Sequence, residues 1–287
     1  MAATPSSEAR SGLKLISPPV FYAILMLAAP LATVLVYSVM TGEKGAVSLP
    51  LTLDNYYELF TKPIYRALMG RSLMVSFFVT AATVLLAYPI AYFVSFHVAP
   101  SRKSLWLFLI TIPFWTNLLI RTYAINEVLR KEGLVNAVLL KLGVIEVPLD
   151  MLYGPFAIFV GMTYVYLPLM VLPLFAAIDR FDMRLLEAGY DLYASRLQVL
   201  RRVILPIVKP GIVAGSILVF VPSLGAYVTP RVLGGGKQMM IGNFIELQFG
   251  QGRNWPLGSA LSMALLVVVM VALLIYVRFA NRENAHG

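Results

Sequence analysis

Few residues of this chain could do chemistry, and their spacing argues against catalysis. Gly234-Gly235-Gly236-Lys237-Gln238 sets a lysine after glycines, as a phosphate-cradling loop does, but the earlier in-register glycine and the following Ser or Thr are missing. It reads as a flexible loop. His97 and His286 stand far apart and make no zinc-ligand pattern. No cysteine is present, which excludes disulfides, a thiolate nucleophile and cysteine-based metal sites. No nucleophile elbow or spaced Ser/His or Ser/Lys set occurs. The sequence therefore predicts no enzyme, no catalytic residue, and no metal or cofactor bound by this chain. What remains is a polar run, Glu187-Ala188-Gly189-Tyr190-Asp191-Leu192-Tyr193-Ala194-Ser195, followed by Val203-Ile204-Leu205-Pro206. Its chemistry is that of docking: a polar element that something soluble can push on.

That run needs explaining because its surroundings are apolar. The chain has 287 residues, 59% hydrophobic and 13% charged, with a mean hydropathy of +0.80. Soluble domains carry about 25% charged residues, so most of this chain does not meet water. The net charge of +9 does not point to nucleic acid, because the basic residues lie between apolar runs, where Lys and Arg mark membrane edges. A spanning helix needs about 20 mostly apolar residues. The hydropathy predicts six spans, at 20–40, 73–96, 105–123, 155–178, 211–230 and 258–279. The first is too long for a signal-peptide core and lacks a clear small-residue cleavage site, so it reads as a retained anchor. Residues 1–17 read as a flexible cytosolic tail, 18–280 as one six-helix membrane domain and 281–287 as a second cytosolic tail. The tight connection at 97–104 carries Arg102 and Lys103, which places it, and with it both termini, inside. Pro30, Pro89, Pro113, Pro168, Pro173 and Pro222 fall within spans. Each frees a carbonyl that lipid cannot satisfy, and Pro168 with Pro173 suggests a bent helix. Gly211 and Gly215 form a small-xxx-small pattern that lets helices approach closely.

The connector at 179–210 is the longest inner link. Asp182 is placed as an N-cap before Leu185, Leu186, Gly189, Leu192 and Tyr193, spaced as a helical face. Ser195 and Gln198 fit a capping box that starts a second helix, with Leu197, Leu200 and Ile204 on its apolar face and Pro206 and Pro210 limiting it. The pattern is helix, break near Tyr193-Ala194, helix. A helix lying on the membrane surface is the alternative, but its polar face would be uniformly basic, and here Glu187 and Asp191 mix with Arg184 and Arg201.

These residues resemble the motif of permease subunits of bacterial binding-protein-dependent ABC importers. Glu187, Ala188, Leu205 and Pro206 match it, and Val203 stands where Ile is usual. Gly189 replaces a usual Ala and Tyr193 a usual Gly. In that family the motif inserts into a groove of the ATPase subunit, which implies coupling roles for Glu187, Ala188, Gly189, Asp191, Tyr193, Leu205 and Pro206. Since a non-Gly residue at positive φ is costly, Tyr193 is expected at negative φ with its ring toward the partner or the adjacent helix ends. Pro113-Phe114-Trp115-Thr116-Asn117, Arg121-Thr122-Tyr123, Val221-Pro222-Ser223-Leu224-Gly225-Ala226-Tyr227, Gly242-Asn243-Phe244-Ile245 and Arg253-Asn254-Trp255-Pro256-Leu257-Gly258 extend the likeness to the spermidine/putrescine branch, specifically its first permease component. Importers of opines and other amines share much of this pattern.

The resemblance implies an all-α polytopic fold of six transmembrane helices, the type I ABC importer permease fold seen in methionine-importer permeases, with a cytosolic coupling region at 182–206 between helices 4 and 5. It implies a multi-pass protein of the bacterial cytoplasmic (inner) membrane. The partners implied are ABC ATPase subunits as a homodimer that hydrolyse the ATP, a second permease subunit, a periplasmic or lipid-anchored substrate-binding protein, a small cationic substrate and membrane lipid. Polar or aromatic residues in or beside spans are the pathway candidates: Trp115, Asn117, Arg121, Tyr123, Tyr164, Tyr166 and Tyr227. Residues 239–249 read as a short outer helix carrying Glu246, a contact for a cation or for a binding protein. A self-contained secondary transporter is the rival, but no internal repeat is visible and the span interiors carry almost no charge.

Overall fold

A computed structural model of the chain describes residues 7–42, 46–182 and 184–284. Predicted features at His286 and in residues 1–6 and 285–287 lie outside them. The described chain divides into two compact units, one of residues 1–62 with 247–267 and one of residues 63–246 with 268–287.

The first unit contains α1 (Ser7–Ser38), a short antiparallel hairpin of β1 (Met40–Thr41) and β2 (Ser48–Leu51), and α2 (Asp54–Thr61). Residues 8–17, expected as a flexible tail, belong to α1, whose part from Ile16 to Ser38 is apolar enough to cross a membrane. Polar side chains fix the exit from α1. The fully buried Ser38 accepts from Tyr56 Oη at 2.8 Å, and Asn55 Nδ2 donates to the Ser38 and Met40 carbonyls at 3.2 and 2.9 Å. The same unit holds the first part of α13 (Trp255–Asn284), where the Trp255 ring lies 6.3 Å from that of Tyr37.

The second unit is built on three packed helices: α3 (Pro63–Phe96), α7 (Pro155–Ile178) and α10 (Leu205–Leu224). Their facing positions, including Val79, Ala87, Met162, Met170, Leu174 and Val219, are fully buried. Gly211 is small because α7 crosses there: a Cβ would strike the Ala177 side chain and come within 2.9 Å of the Pro173 carbonyl. At Gly215 it would meet Met170 Sδ at 2.6 Å. The expected small-xxx-small contact is thus between α7 and α10.

Two expected spans are revised. The third, at 105–123, is not straight. α4 (Pro100–Trp115) ends at Thr116-Asn117, and the chain turns through 91° into α5 (Leu118–Leu129) and α6 (Leu134–Lys141). Pro113 weakens the last turn of α4, and Asn117 starts α5 by accepting the Leu119 N–H at 2.8 Å. The fifth, at 211–230, ends at Leu224; Gly225 to Tyr227 lead into α11 (Val228–Leu233). Among the described residues five helices are long and apolar enough to span, and six with the bent pair taken as one.

The unit has two distinguishable ends. Lys103 Nζ pairs with Asp179 Oδ1 at 2.6 Å, so the 97–104 loop and the connector share the end where α7 finishes. Tyr153 N–H donates to the Leu233 carbonyl at 2.9 Å, which puts α11 at the end where α7 begins. The connector and the end of α11 at Leu233 therefore lie at opposite ends of α7. Overpacking a tight helix contact costs about 1–3 kcal/mol. Gly211→Leu is therefore expected to lower the melting temperature of the purified protein in detergent, whereas Leu218→Ala, on the exposed side of α10, is expected to change it little; equal melting of Gly211→Leu and wild type would contradict the close crossing.

Candidate functional site: the connector and the cluster at the α4–α5 bend

The connector is a helical hairpin. α8 (Arg184–Asp191) begins where Asp182 Oδ1 accepts the Arg184 N–H at 3.0 Å, the predicted cap. α9 (Arg196–Val199) begins with the predicted capping box: Ser195 Oγ accepts the Gln198 N–H at 3.3 Å, and Gln198 Oε1 accepts the Ser195 N–H at 2.8 Å. The hairpin closes on Leu186, Val199 and Ile204, all buried. Gly189 lies on this inner face, where an added Cβ would sit 3.4 Å from Val199 Cγ2, an ordinary contact. The alanine usual in the motif would fit here unchanged.

The break differs from the expectation. Tyr193 stands at φ 57°, in the left-handed region, and its side chain is 98% exposed, so it does not pack on the neighbouring helix ends. The hydrogen bonds explain the geometry. Ala194 N–H reaches back to the Gly189 carbonyl at 3.2 Å and Tyr193 N–H to the Tyr190 carbonyl at 2.9 Å. That pair defines a Schellman cap with Tyr193 in the position glycine usually fills. α6 ends in the same way, with Val144 bonding to Leu139 and Gly143 to Leu140, and there the left-handed residue is a glycine at φ 69°. Tyr193 thus bears roughly 1–2 kcal/mol of backbone strain that Gly143 does not. Two satisfied carbonyls and the start of the next helix offset it.

The second connector helix is not limited by Pro206 and Pro210, as the sequence suggested. It continues from Arg196 to Leu224 as one 29-residue element. The continuity rests on a π-helical turn, Leu200–Ile204, in which Leu205 N–H bonds to the Leu200 carbonyl. A proline inside an α-helix clashes with the carbonyl four residues back. The wider turn just before Pro206 moves that carbonyl aside. Leu205 is half-buried and Pro206 exposed. Outward, α8 shows Glu187, Ala188, Tyr190 and Asp191, followed by exposed Leu192 and Tyr193. Uncovered apolar and aromatic side chains beside acids, outside any span, mark a surface for a protein partner.

Of the pathway candidates, the structure gathers some and scatters others. Arg121 is 9% exposed, with its guanidinium over the Phe114 ring at 5.6 Å and within electrostatic reach of the Tyr166 hydroxyl. Tyr166 Oη donates to the Pro222 carbonyl at 3.1 Å, tying the middle of α7 to the last turn of α10. Thr122 and Thr229, both buried, face each other at 3.4 Å between α5 and α11. Trp115 is 83% and Tyr227 47% exposed, and Tyr123 and Tyr164 are also exposed. Trp115, Tyr164 and Tyr227 make no ring contact with one another among the described residues. Asn117 serves as the α5 cap. The predicted outer helix is α12 (Ile241–Phe249), and its Glu246 pairs with Arg231 at 2.8 Å, so it is not a free anion. Sequence reasoning passed over Asn243, which donates to the Tyr227 carbonyl and accepts from Met240 N–H at 3.1 Å; only its place in a quoted motif signalled it. His97 stacks on Phe93, with centroids 5.8 Å apart.

Long apolar helices packed on one another, with an exposed, capped hairpin at one end, are the build of a polytopic membrane protein. The chain belongs to the family of binding-protein-dependent transport system inner membrane components, which matches residues 77–283. It is a multi-pass inner-membrane transport permease and not an enzyme. It is 39% identical over 254 residues to the spermidine/putrescine transport system permease protein PotB of Haemophilus influenzae, covering 88% of each chain. It is 40% identical over 242 residues to PotB of Escherichia coli, covering 84% of this chain and 87% of that one. The inner membrane ABC transporter permease protein YdcU of Escherichia coli is 31% identical over 84% of this chain and 78% of its own. A bacterial ABC transporter that imports the acidic polysaccharide alginate has the same fold, with a TM-score of 0.68 at 16% identity over 96% of this chain and 99% of that one.

The cap geometry makes a direct prediction. Tyr193→Gly removes left-handed strain while adding unfolded-state freedom of roughly 0.5–1 kcal/mol. Amide exchange across 184–194 is expected to be no faster than in wild type. Tyr193→Val, whose branched Cβ tolerates positive φ least, is expected to speed it. Faster exchange in the glycine variant would show that the cap is not strained.

Proposed function

We propose that this chain forms half of the translocation pathway of an ABC importer for polyamines, spermidine and putrescine. In this reading a second permease completes the path and a homodimeric ATPase docks on the 182–206 connector. A periplasmic or lipid-anchored binding protein delivers substrate from the other side. Both termini are cytosolic, residues 18–280 act as one permease domain, and ATP is bound and hydrolysed by the partner alone. The observation that carries the proposal is the connector, an exposed acid-and-aromatic hairpin joined without a break to a membrane helix. Identity to spermidine/putrescine permeases across most of the chain supports the substrate.

The mechanism follows from mechanical continuity. The helix from Arg196 to Leu224 spans 29 residues, about 43 Å at 1.5 Å per residue. A displacement of the hairpin by the ATPase is carried along that rod to its far end, where Pro222 meets Tyr166 and where Gly225 and Tyr227 follow. The spans contain no carboxylate to hold a polyamine tightly. Passage along exposed Trp115 and Tyr227 gives cation–π contacts of roughly 0.5–2 kcal/mol each, weak enough to release. Selection then belongs to the binding protein.

Uptake of labelled spermidine and putrescine by proteoliposomes holding the complete complex, against a panel of other amines, opines and amino-acid-like solutes, tests the proposal. ATP-dependent entry of the polyamines above the panel is expected. Preferential entry of an opine or amino acid would reject the substrate and leave the importer. Glu187→Lys is expected to abolish uptake while the complex still assembles and hydrolyses ATP; full transport would remove the coupling role. Tyr227→Ala is expected to slow polyamine uptake several-fold at normal assembly, and a wild-type rate would take Tyr227 off the path.

A further inference from the structure

Arg121 is a buried cation that this chain does not neutralise. Its side chain is 9% exposed and its Nε is buried without a hydrogen-bond partner. The ion pairs among the described residues engage Lys62, Lys103, Arg130, Lys131 and Arg231, and Arg121 makes none. The sequence shows why. No Asp or Glu occurs at 9–42, 59–126, 151–178, 192–245 or 247–282, so every span is free of acids. Among the described residues it makes a cation–ring contact with the Phe114 face, at 5.6 Å. An arginine fork carries five donors suited to a bidentate carboxylate, and an ionisable residue at membrane depth finds a counter-group in a functional assembly.

The depth and surroundings narrow the source of that group. Arg121 lies in α5, inside the bent helix pair that makes one candidate span, and the interior of a span is surrounded by hydrocarbon rather than by lipid headgroups. The surface next to it, Trp115, Leu119, Ile120 and Tyr123, is apolar or aromatic and uncovered, as befits a face another membrane protein covers. The proposed substrates carry only ammonium groups, and a charge buried at rest needs a resident partner. We infer that Arg121 is completed by the carboxylate of an Asp or Glu at membrane depth in the second permease subunit, forming an ion pair that seats the two subunits around the α4–α5 bend. The inference rests on the reading that a second permease completes the path.

The experiment keeps the two apart. This chain is co-expressed with its second permease, and the pair is recovered from detergent through a tag on one of them. A wild-type chain that never captures the other sinks the importer reading. With capture established, Arg121→Glu is expected to lower recovery at least tenfold and Arg121→Lys less than twofold. Exchanging one membrane-depth acid of the second permease for Arg is expected to restore the Arg121→Glu pair to at least half of wild type. Normal pairing of Arg121→Glu, or no exchange that restores a variant still monodisperse on its own, overturns the inference. Should Arg121→Glu fail to insert, Arg121→Lys in the intact complex decides. A membrane-permeant carbodiimide joins the introduced amine to a touching carboxyl as an amide, taking up the water as a urea. A cross-linked peptide from the second permease supports the pair, and its absence after treatment overturns it.

Discussion

Inside lipid there is no water to take a hydrogen bond, so every backbone N–H and C=O must be satisfied by the protein itself. The architecture of the second unit follows from that rule. Its spans are helical throughout, and where proline breaks the ladder another group steps in. The π turn ahead of Pro206 re-registers the carbonyls, and at the end of α10, where the ladder runs out, the Tyr166 hydroxyl donates to the Pro222 carbonyl. Several hydroxyls follow the same rule: Thr80, Thr122 and Ser216 each return to a carbonyl four residues back, at 2.7–2.8 Å, whereas Ser76, Ser95, Thr163 and Ser259 are buried without a hydrogen-bond partner. The spans carry no carboxylate. Little remains to chelate a solute, which suits a conduit that must let go.

The same rule binds the connector to the path. A helix that breaks in lipid needs new partners for its freed groups, while one that continues needs none. Continuity from Ser195 to Gly225 is therefore the least costly solution, and it gives a stiff link between a water-facing hairpin and the level of Tyr166. α7 is the helix against which the link packs. It approaches so closely that only glycine fits at Gly211, which leaves the contact intolerant of side-chain bulk while presenting a smooth surface.

Much of this was legible in the sequence, because it depends on local patterns. Hydropathy located the spans, Arg102 and Lys103 grouped their loop with the connector, and Ser195 with Gln198 announced the second connector helix. The failures share one cause: a tertiary or backbone solution outweighed a local preference. Tyr193 adopts a glycine's conformation because the two Schellman bonds and the cap at Ser195 fix the chain on both sides. Pro206 and Pro210 stay helical because a π turn precedes them, and a single sequence carries no sign of that turn. The bend at Thr116 was hidden by the apolar run through Ile120, which reads as one span. Arg121 stood in the sequence only as a pathway candidate; its burial depends on its packing against neighbouring elements and Phe114, which periodicity cannot disclose.

The bend has an electrostatic consequence. α4 ends at Trp115 and α10 at Leu224, each presenting its carboxyl end there. Aligned peptide dipoles leave about half a negative charge at such an end. Phe114 and Pro222 link both ends to the neighbourhood of Arg121, so two fractional negative charges stand against one full positive charge. Helix-end charges of this kind contribute about 0.3–1 kcal/mol and fade within a turn, so they ease the burial of Arg121 without replacing the carboxylate that its fork lacks. A multiply charged amine passing that level would meet partial charges too weak to trap it.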